Sequence, residues 1–252
     1  MAENISSNVL FHFTKSMGDL KSILKHGFFP HYCPEYSLQP GDKRAAARRH
    51  HPTRAAAMVC FCDLPLSLIG KHQEEYGRFA IGLDKAWGLK NGVAPVIYTH
   101  AKAQTRQPVF RLTAKARESI DKSLANDLDV LAAYTKPFRG PAWRNKRCQP
   151  EVKFYDEREW RYVPTAHKDK PLFLDWKAYR DPNKRNNLHR RFKIENALLI
   201  DPGNIQYLII PYDREENNIL QLHNYITKRY SRKDAILVTT AIMTDDCLTQ
   251  DV

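Results

Sequence analysis

Short apolar stretches rich in β-branched and aromatic residues recur along the chain without a helix between each pair, and that spacing restricts the architecture most. Residues 9–13, 57–62, 79–83, 94–98, 152–155, 160–163, 197–200, 207–210 and 236–240 read as strands. Regular alternation with helices would build a doubly wound parallel sheet. Its absence predicts an α+β fold around a mixed or antiparallel sheet with flanking helices. Neither an internal repeat nor a low-complexity linker divides the 252 residues, so one domain over 1–252 is expected.

Helical signals are fewer. Ser16 with Asp19 three residues on forms an N-terminal cap, Leu20, Ile23 and Leu24 share one face, and Gly27 ends the segment. Residues 113–134 give the clearest helix, with Ile120, Leu124, Leu128 and Leu131 on one face, and 216–230 gives an amphipathic one. Residues 87–92 read as a glycine-containing turn. The polar segments 43–54, 136–150 and 181–193 read as basic loops or connections, the first with a short helix as its alternative.

Charge is unevenly spread. The formal net is +12, yet residues 201–252 hold 5 Lys and Arg against 8 Asp and Glu, leaving the preceding residues at +15. Such a cationic excess favours a polyanionic partner, with a merely solvated basic surface as the plain alternative. The N-terminal segment lacks a basic region followed by an apolar core, and no apolar run approaches the ~18 residues of a membrane span, so no secretion signal and no membrane partner are expected. Five cysteines without a CxxC pair argue against a disulfide framework and for a reducing cytoplasm. Cys60 and Cys62 share one face of a strand, as buried thiols or, less simply, as metal ligands.

Sequence signatures of kinases, P-loop enzymes, zinc proteases and serine hydrolases are all missing. Three local features remain. His12 and Thr14 sit at the end of the first strand, where a His beside a hydroxyl suits a sugar hydroxyl or carboxamide, or else packs between aromatics. Cys62-Asp63-Leu64-Pro65 is a strand exit fit to hold a ligand edge, or an ordinary turn. In Asp156-Glu157-Arg158-Glu159-Trp160-Arg161, Glu157 and Glu159 share a face of an extended segment. Two such carboxylates repel unless one has a function or a cationic partner, for which Arg158 and Arg161 are at hand as a surface salt-bridged cluster.

These features, in this order, resemble ADP-ribosyltransferase folds. More closely, LFHFTKSMGDLKSILKHGFFPHYCPEY, MVCFCDLPLSLIGKHQEEYGRFAIGLDKAWGLKNGVAPVIY, YTKPFRG, EREWRYVP, IQYLIIPYD and ILVTTAIM are similar to the AbiGi-type abortive infection (phage resistance) family. That family is in turn similar to the DNA-targeting ADP-ribosyltransferase toxins. The resemblance implies an ADP-ribosyltransferase-like split sheet and NAD⁺ as substrate. It places His12 and Thr14 on the nicotinamide ribose, Cys62 at the cofactor edge, Tyr76 or Phe79 on the nicotinamide ring, and Glu159, aided by Glu157, at the reacting carbon. A carboxylate there stabilises an oxocarbenium-like transition state. The serine-rich motif of arginine-modifying relatives has no match, which turns the expected target towards nucleic acid.

The resulting expectation is an NAD-dependent ADP-ribosyltransferase toxin of a phage-defence system, acting on RNA or single-stranded DNA and paired with a cognate antitoxin or chaperone. Arg106, Arg111, Lys136, Arg139, Arg144, Lys146 and Arg147 would track phosphates, and Trp143 and Phe138 would stack on bases. Two rivals stand beside it. One is a non-catalytic antitoxin or phage-sensing module that binds nucleic acid or protein. The other is a metal-dependent nuclease built on Asp156, Glu157 and Glu159.

Overall fold

The computed structural model describes residues 7–36, 52, 54–100, 102–104, 108, 111, 112, 115, 122–144, 147–165, 170–213 and 217–247. Most of the basic segment 43–54 and the first part of the helix read over 113–134 lie outside them. In chain order the elements begin β1 (Val9–Thr14), α1 (Met17–His26), β2 (His31–Glu35), β3 (Arg54–Cys62), α2 (Gly70–Tyr76), β4 (Phe79–Asp84) and α3 (Lys85–Lys90). There follow β5 (Ala94–Pro95), β6 (Ile97–Thr99), α4 (Lys122–Ala133), β7 (Thr135–Pro137), β8 (Gly140–Arg144), β9 (Arg147–Val152) and β10 (Glu159–Tyr162). The chain continues as β11 (Phe173–Asp175), α5 (Trp176–Arg180), α6 (Pro182–Glu195), β12 (Ile205–Ile210), α7 (Asn217–Arg229), α8 (Arg232–Thr240) and β13 (Ile242–Thr244). The result is a mixed α+β protein with a mixed sheet and flanking helices.

The described residues fall into two compact units. The first draws on Met1–Phe28, Cys60–Ala94 and Leu198–Val252, the second on Phe29–Val59 and Pro95–Ala197. In the first, β4 lies between β1 and β12, antiparallel to both, and β13 joins β12 in parallel. The alternating apolar residues of these strands converge on a core in which Leu10, Ile81, Leu83, Leu208 and Ile210 are fully buried. Helix α1 starts where Ser16 accepts the Asp19 N–H at 3.1 Å, the cap its sequence signals, and it buries Leu20 and Leu24.

In the second unit the front of β3 is a run of small apolar residues, buried at consecutive positions and so on both faces, while β2 and β11 pair antiparallel along its two edges. Ala55, Ala57, Ala133, Leu172, Leu188 and Phe192 share one core cluster. Strands β8 and β9 form a hairpin, and β6 runs parallel to β7.

Helix α6 supplies Leu188 and Phe192, one turn apart, to that cluster. On the same helix His189 Nε2 accepts the Tyr32 N–H at 3.1 Å. That bond needs the neutral ring. Burial first, then the nearby His31 and Arg185 charges, lower the His189 pKa from 6.5 to about 4. The unfolded chain therefore binds the proton more readily than the folded one. Stability is full above the unfolded value of 6.5 and falls as pH drops from there towards about 4. His189→Gln keeps an acceptor without a titrating ring. The acid-side fall of Tm across this window should be smaller in the variant than in the wild type, measured by thermal melts in matched buffers; identical profiles would remove His189 as a cause.

Several sequence expectations need correction. Residues 236–240 are not a strand but the end of helix α8. Ser231 caps it by accepting the Asp234 N–H at 3.2 Å, and this overrides the β-branched run that follows. Residues 181–193, read as a connection, are helical. Asp181 accepts the Asn183 and Lys184 N–H groups and Pro182 stands in the first turn, where it is tolerated. The basic loop 136–150 is the β7 strand and the β8–β9 hairpin. Within 152–155 the chain leaves β9 and enters a 3₁₀ turn, Phe154–Glu157. Residues 87–92 are largely helix α3, and 197–200 makes only a bridge from Leu198 to Phe28.

Candidate functional site

The charge is segregated between the units. The second holds 28 Lys and Arg against 14 Asp and Glu, a net of +14, while the first holds 12 against 14, a net of −2. Within the second unit, the strongest concentration of chemically competent side chains surrounds Glu157 and Glu159.

The local backbone brings these two carboxylates together. After the 3₁₀ turn Phe154–Glu157, Arg158 takes a left-handed conformation with φ 43° and ψ 50°, and β10 begins at Glu159. That kink aims the side chains on either side of it at a common cation: Lys136 Nζ lies 2.6 Å from Glu157 Oε2 and 2.6 Å from Glu159 Oε2. Arg144 donates to the other oxygen of Glu157. Arg161 Nε donates to Glu159 Oε1 at 2.7 Å, and its guanidinium also reaches Glu35 Oε1 at 2.6 Å and the Ala133 carbonyl. Tyr98 Oη accepts the Glu159 N–H at 2.8 Å. Three carboxylates thus meet three cations.

The network is removed from water. Glu157, Glu159 and Arg161 are 7%, 6% and 1% exposed. Burial pulls the Glu159 carboxyl up, but the Arg161 and Lys136 charges and their hydrogen bonds outweigh it and hold the group well below the usual carboxylate range. A depressed folded value means that Glu159 contributes stability above its unfolded pKa and loses it as pH falls through the folded one. Tyr98 is pushed up by its burial beside Glu159, so it remains a neutral hydroxyl.

Chemically, the arrangement is a pin. Each carboxylate's acceptor capacity is directed at named cations, and the guanidinium of Arg161 ties β10 to β2 and to the end of α4. Removing one member would leave a buried charge uncompensated, which is the costly case for such pairs.

The other expected site residues are distributed differently. His12, Thr14, Cys62, Tyr76 and Phe79 belong to the first unit, Glu157 and Glu159 to the second. His12 Nδ1 lies 2.8 Å from the Cys60 carbonyl, and its ring meets Phe28 and Phe61 edge-on at 5.0 and 5.8 Å. Trp87 continues that aromatic group, 6.0 Å from Phe28, and donates its indole N–H to Leu199. Thr14 stands opposite Phe79 in the β1–β4 register. Cys62 is buried with Phe11, Leu64 and Ile69. The ring of Tyr76 lies 5.7 Å from that of His72. At the strand exit Asp63 accepts the Ser7 N–H at 2.9 Å and pairs with Lys85 at 2.8 Å.

Of the expected phosphate contacts, Arg144 and Lys136 are corrected: their side chains are 9% and 13% exposed and are drawn into the network by Glu157, Lys136 by Glu159 as well. Arg139 is 56% exposed and lies 3.5 Å from Glu151, and Arg147 is exposed. Trp143 meets Trp176 edge-on at 5.7 Å, and Phe138 stacks on Tyr155 at 5.2 Å. Lys146 and Arg106 lie outside the described residues. Sequence reasoning offered Arg161 as a surface partner of the carboxylates, whereas it is buried. It missed Glu35 and Tyr98, which are remote in the chain and carry no local signal. Among the described residues, no group of three or more His, Cys, Asp or Glu is set to hold a metal ion, and no helix is long and apolar enough to cross a membrane.

Comparison with known proteins defines the class as abortive phage resistance proteins. A family model described as "abortive phage resistance protein AbiGi, antitoxin" matches residues 26–211. The chain belongs to the AbiGi family. It is 29% identical over 167 residues to an abortive phage resistance protein AbiGi from Lactococcus lactis subsp. cremoris, across 58% of this chain and 66% of that protein. The chain thus spans less than two thirds of the length of that relative. No solved structure matches the chain. The family description corrects the expected function. It labels the family an antitoxin, not an ADP-ribosyltransferase toxin acting on nucleic acid, and so favours the rival reading of a non-catalytic antitoxin.

Proposed function

We propose that this protein is the antitoxin of an abortive phage resistance system and that it neutralises a cognate toxin by binding it. The family description and the AbiGi relative support the role. The observation that supports binding rather than chemistry is the buried network. The two carboxylates that a glycosyl-transfer mechanism would use are held by Lys136, Arg144 and Arg161, away from solvent. The charge segregation supports it as well, since a unit with a net charge of +14 attracts and steers an acidic partner.

Binding and catalysis differ in stoichiometry. When the purified chain is titrated into its system's toxin, identified as the component whose expression alone arrests growth, toxin activity should fall in proportion to the molar ratio. The two proteins should co-elute on size exclusion at the endpoint. Loss of toxin activity at far below equimolar antitoxin, without co-elution, would contradict the binding reading and point to an enzyme.

A further inference from the structure

Three aromatic side chains of the second unit form a continuous run that the buried network does not use. Trp143, on the β8–β9 hairpin, meets Trp176 of α5 edge-on at 5.7 Å. Trp176 stacks on Tyr179 at 5.4 Å and 22°. The Arg185 guanidinium, from the first half of α6, caps Tyr179 at 5.2 Å and donates to its carbonyl at 3.1 Å. All three rings are half-buried: each is held by its neighbours and still reaches solvent. The run joins two basic segments that are separate in sequence, the hairpin and the α5–α6 stretch.

Cations flank it. Residues 175–193 hold seven Lys and Arg against two Asp. Lys177, Arg180 and Lys184 are exposed. The two carboxylates, Asp175 and Asp181, are occupied as helix caps, accepting the backbone N–H groups of Ala178, Asn183 and Lys184. The Trp143 and Trp176 rings, fixed by Tyr179 that Arg185 holds in turn, stand among lysines and arginines and suit a ligand with a flat π-face on every unit and a phosphate between units. Stacking serves any base, and the cations follow the backbone. An acidic peptide would satisfy the charges but leave the rings unused.

We infer that the Trp143–Trp176–Tyr179 run and the flanking Lys177, Arg180 and Lys184 form a binding surface for single-stranded nucleic acid. This goes beyond the antitoxin reading and does not depend on it. The surface differs from the one expected on the hairpin alone, because Arg144 is buried in the carboxylate network and the cations on α5 and α6 take its place.

Fluorescence anisotropy with the full chain tests it, using labelled RNA and DNA strands of about 12 nucleotides, within the usual range for such sites. Both strand types are titrated at several potassium chloride concentrations, and the tighter of the two names the nucleic acid. Three neutralised phosphates give a log K against log salt slope of about −2. Replacing Lys177, Arg180 and Lys184 together with alanine should bring that slope towards zero. Trp176→Ala should weaken binding about tenfold with the slope unchanged. Circular dichroism checks that variant's fold, and the surface triple variant stands as evidence if it unfolds. Four outcomes would each overturn the inference: no binding at low salt, unchanged affinity and slope in the triple variant, equal affinity for a duplex of the same length, or displacement by polyglutamate as effective as by oligonucleotide at equal charge. The last would assign the face to an acidic protein.

Discussion

Replacing Arg161 by methionine is expected to destabilise the protein by about 3–5 kcal/mol, the usual cost of removing one partner from a buried ion pair. The side chain is 1% exposed, and its guanidinium serves Glu159, Glu35 and the Ala133 carbonyl at once. Methionine fills similar volume, so packing is largely kept and the loss reports the stranded acceptors. Part of it is recoverable by protonating Glu159, because without Arg161 that carboxyl loses much of what holds its pKa down. Urea unfolding at neutral and at acidic pH measures both effects. The wild type should weaken as pH falls and the variant should weaken less. A loss under about 1 kcal/mol at neutral pH would show the network to be a surface-like cluster of little energetic weight.

Gly77→Ala is expected to cost about 3 kcal/mol in the first unit. Gly77 ends α2 at φ 125° and ψ 156°, a region open essentially to glycine alone. A Cβ there would lie 2.2 Å from the Thr14 carbonyl oxygen and 2.6 Å from its carbon. Both are backbone atoms of the β1 end, which a rotamer change cannot move aside. Gly70, at the start of the same helix, is the control: a Cβ there meets nothing within 4 Å, and its φ is not in the left-handed range. Gly70→Ala should be neutral or stabilising by about 0.5 kcal/mol, through the entropy of the unfolded chain. Chemical unfolding of the two variants side by side separates them. Equal, small effects would mean that the β1 end yields without cost.

The α+β class and the mixed sheet were legible because they rest on short-range patterns. The VLFHFT and IQYLII strands alternate or run apolar in the way buried strands do, and the Ser16 cap announces α1. What failed was competition between local signals. In 232–240 a Ser–Asp cap defeated a β-branched run. In 182–195 only Leu188 and Phe192 face the core, too sparse a stripe to announce a helix against ten polar or charged neighbours. At the site, the adjacency of Glu157 and Glu159 was visible and so was the need for a cation. Which cations answer it was not. Lys136 lies 21 residues from Glu157 in sequence and Glu35 lies 126 from Arg161, so only the fold joins them. Read without those partners, two neighbouring carboxylates looked catalytic.

Growth of cells carrying the chain decides the antitoxin role. The chain is expressed alone from an inducible promoter, and in parallel with the toxin of its own system under a second inducer. The chain alone should leave growth unchanged, the toxin alone should arrest it, and the two together should restore it. Growth arrest by the chain alone, or arrest by the toxin that the chain does not relieve, would refute the antitoxin role.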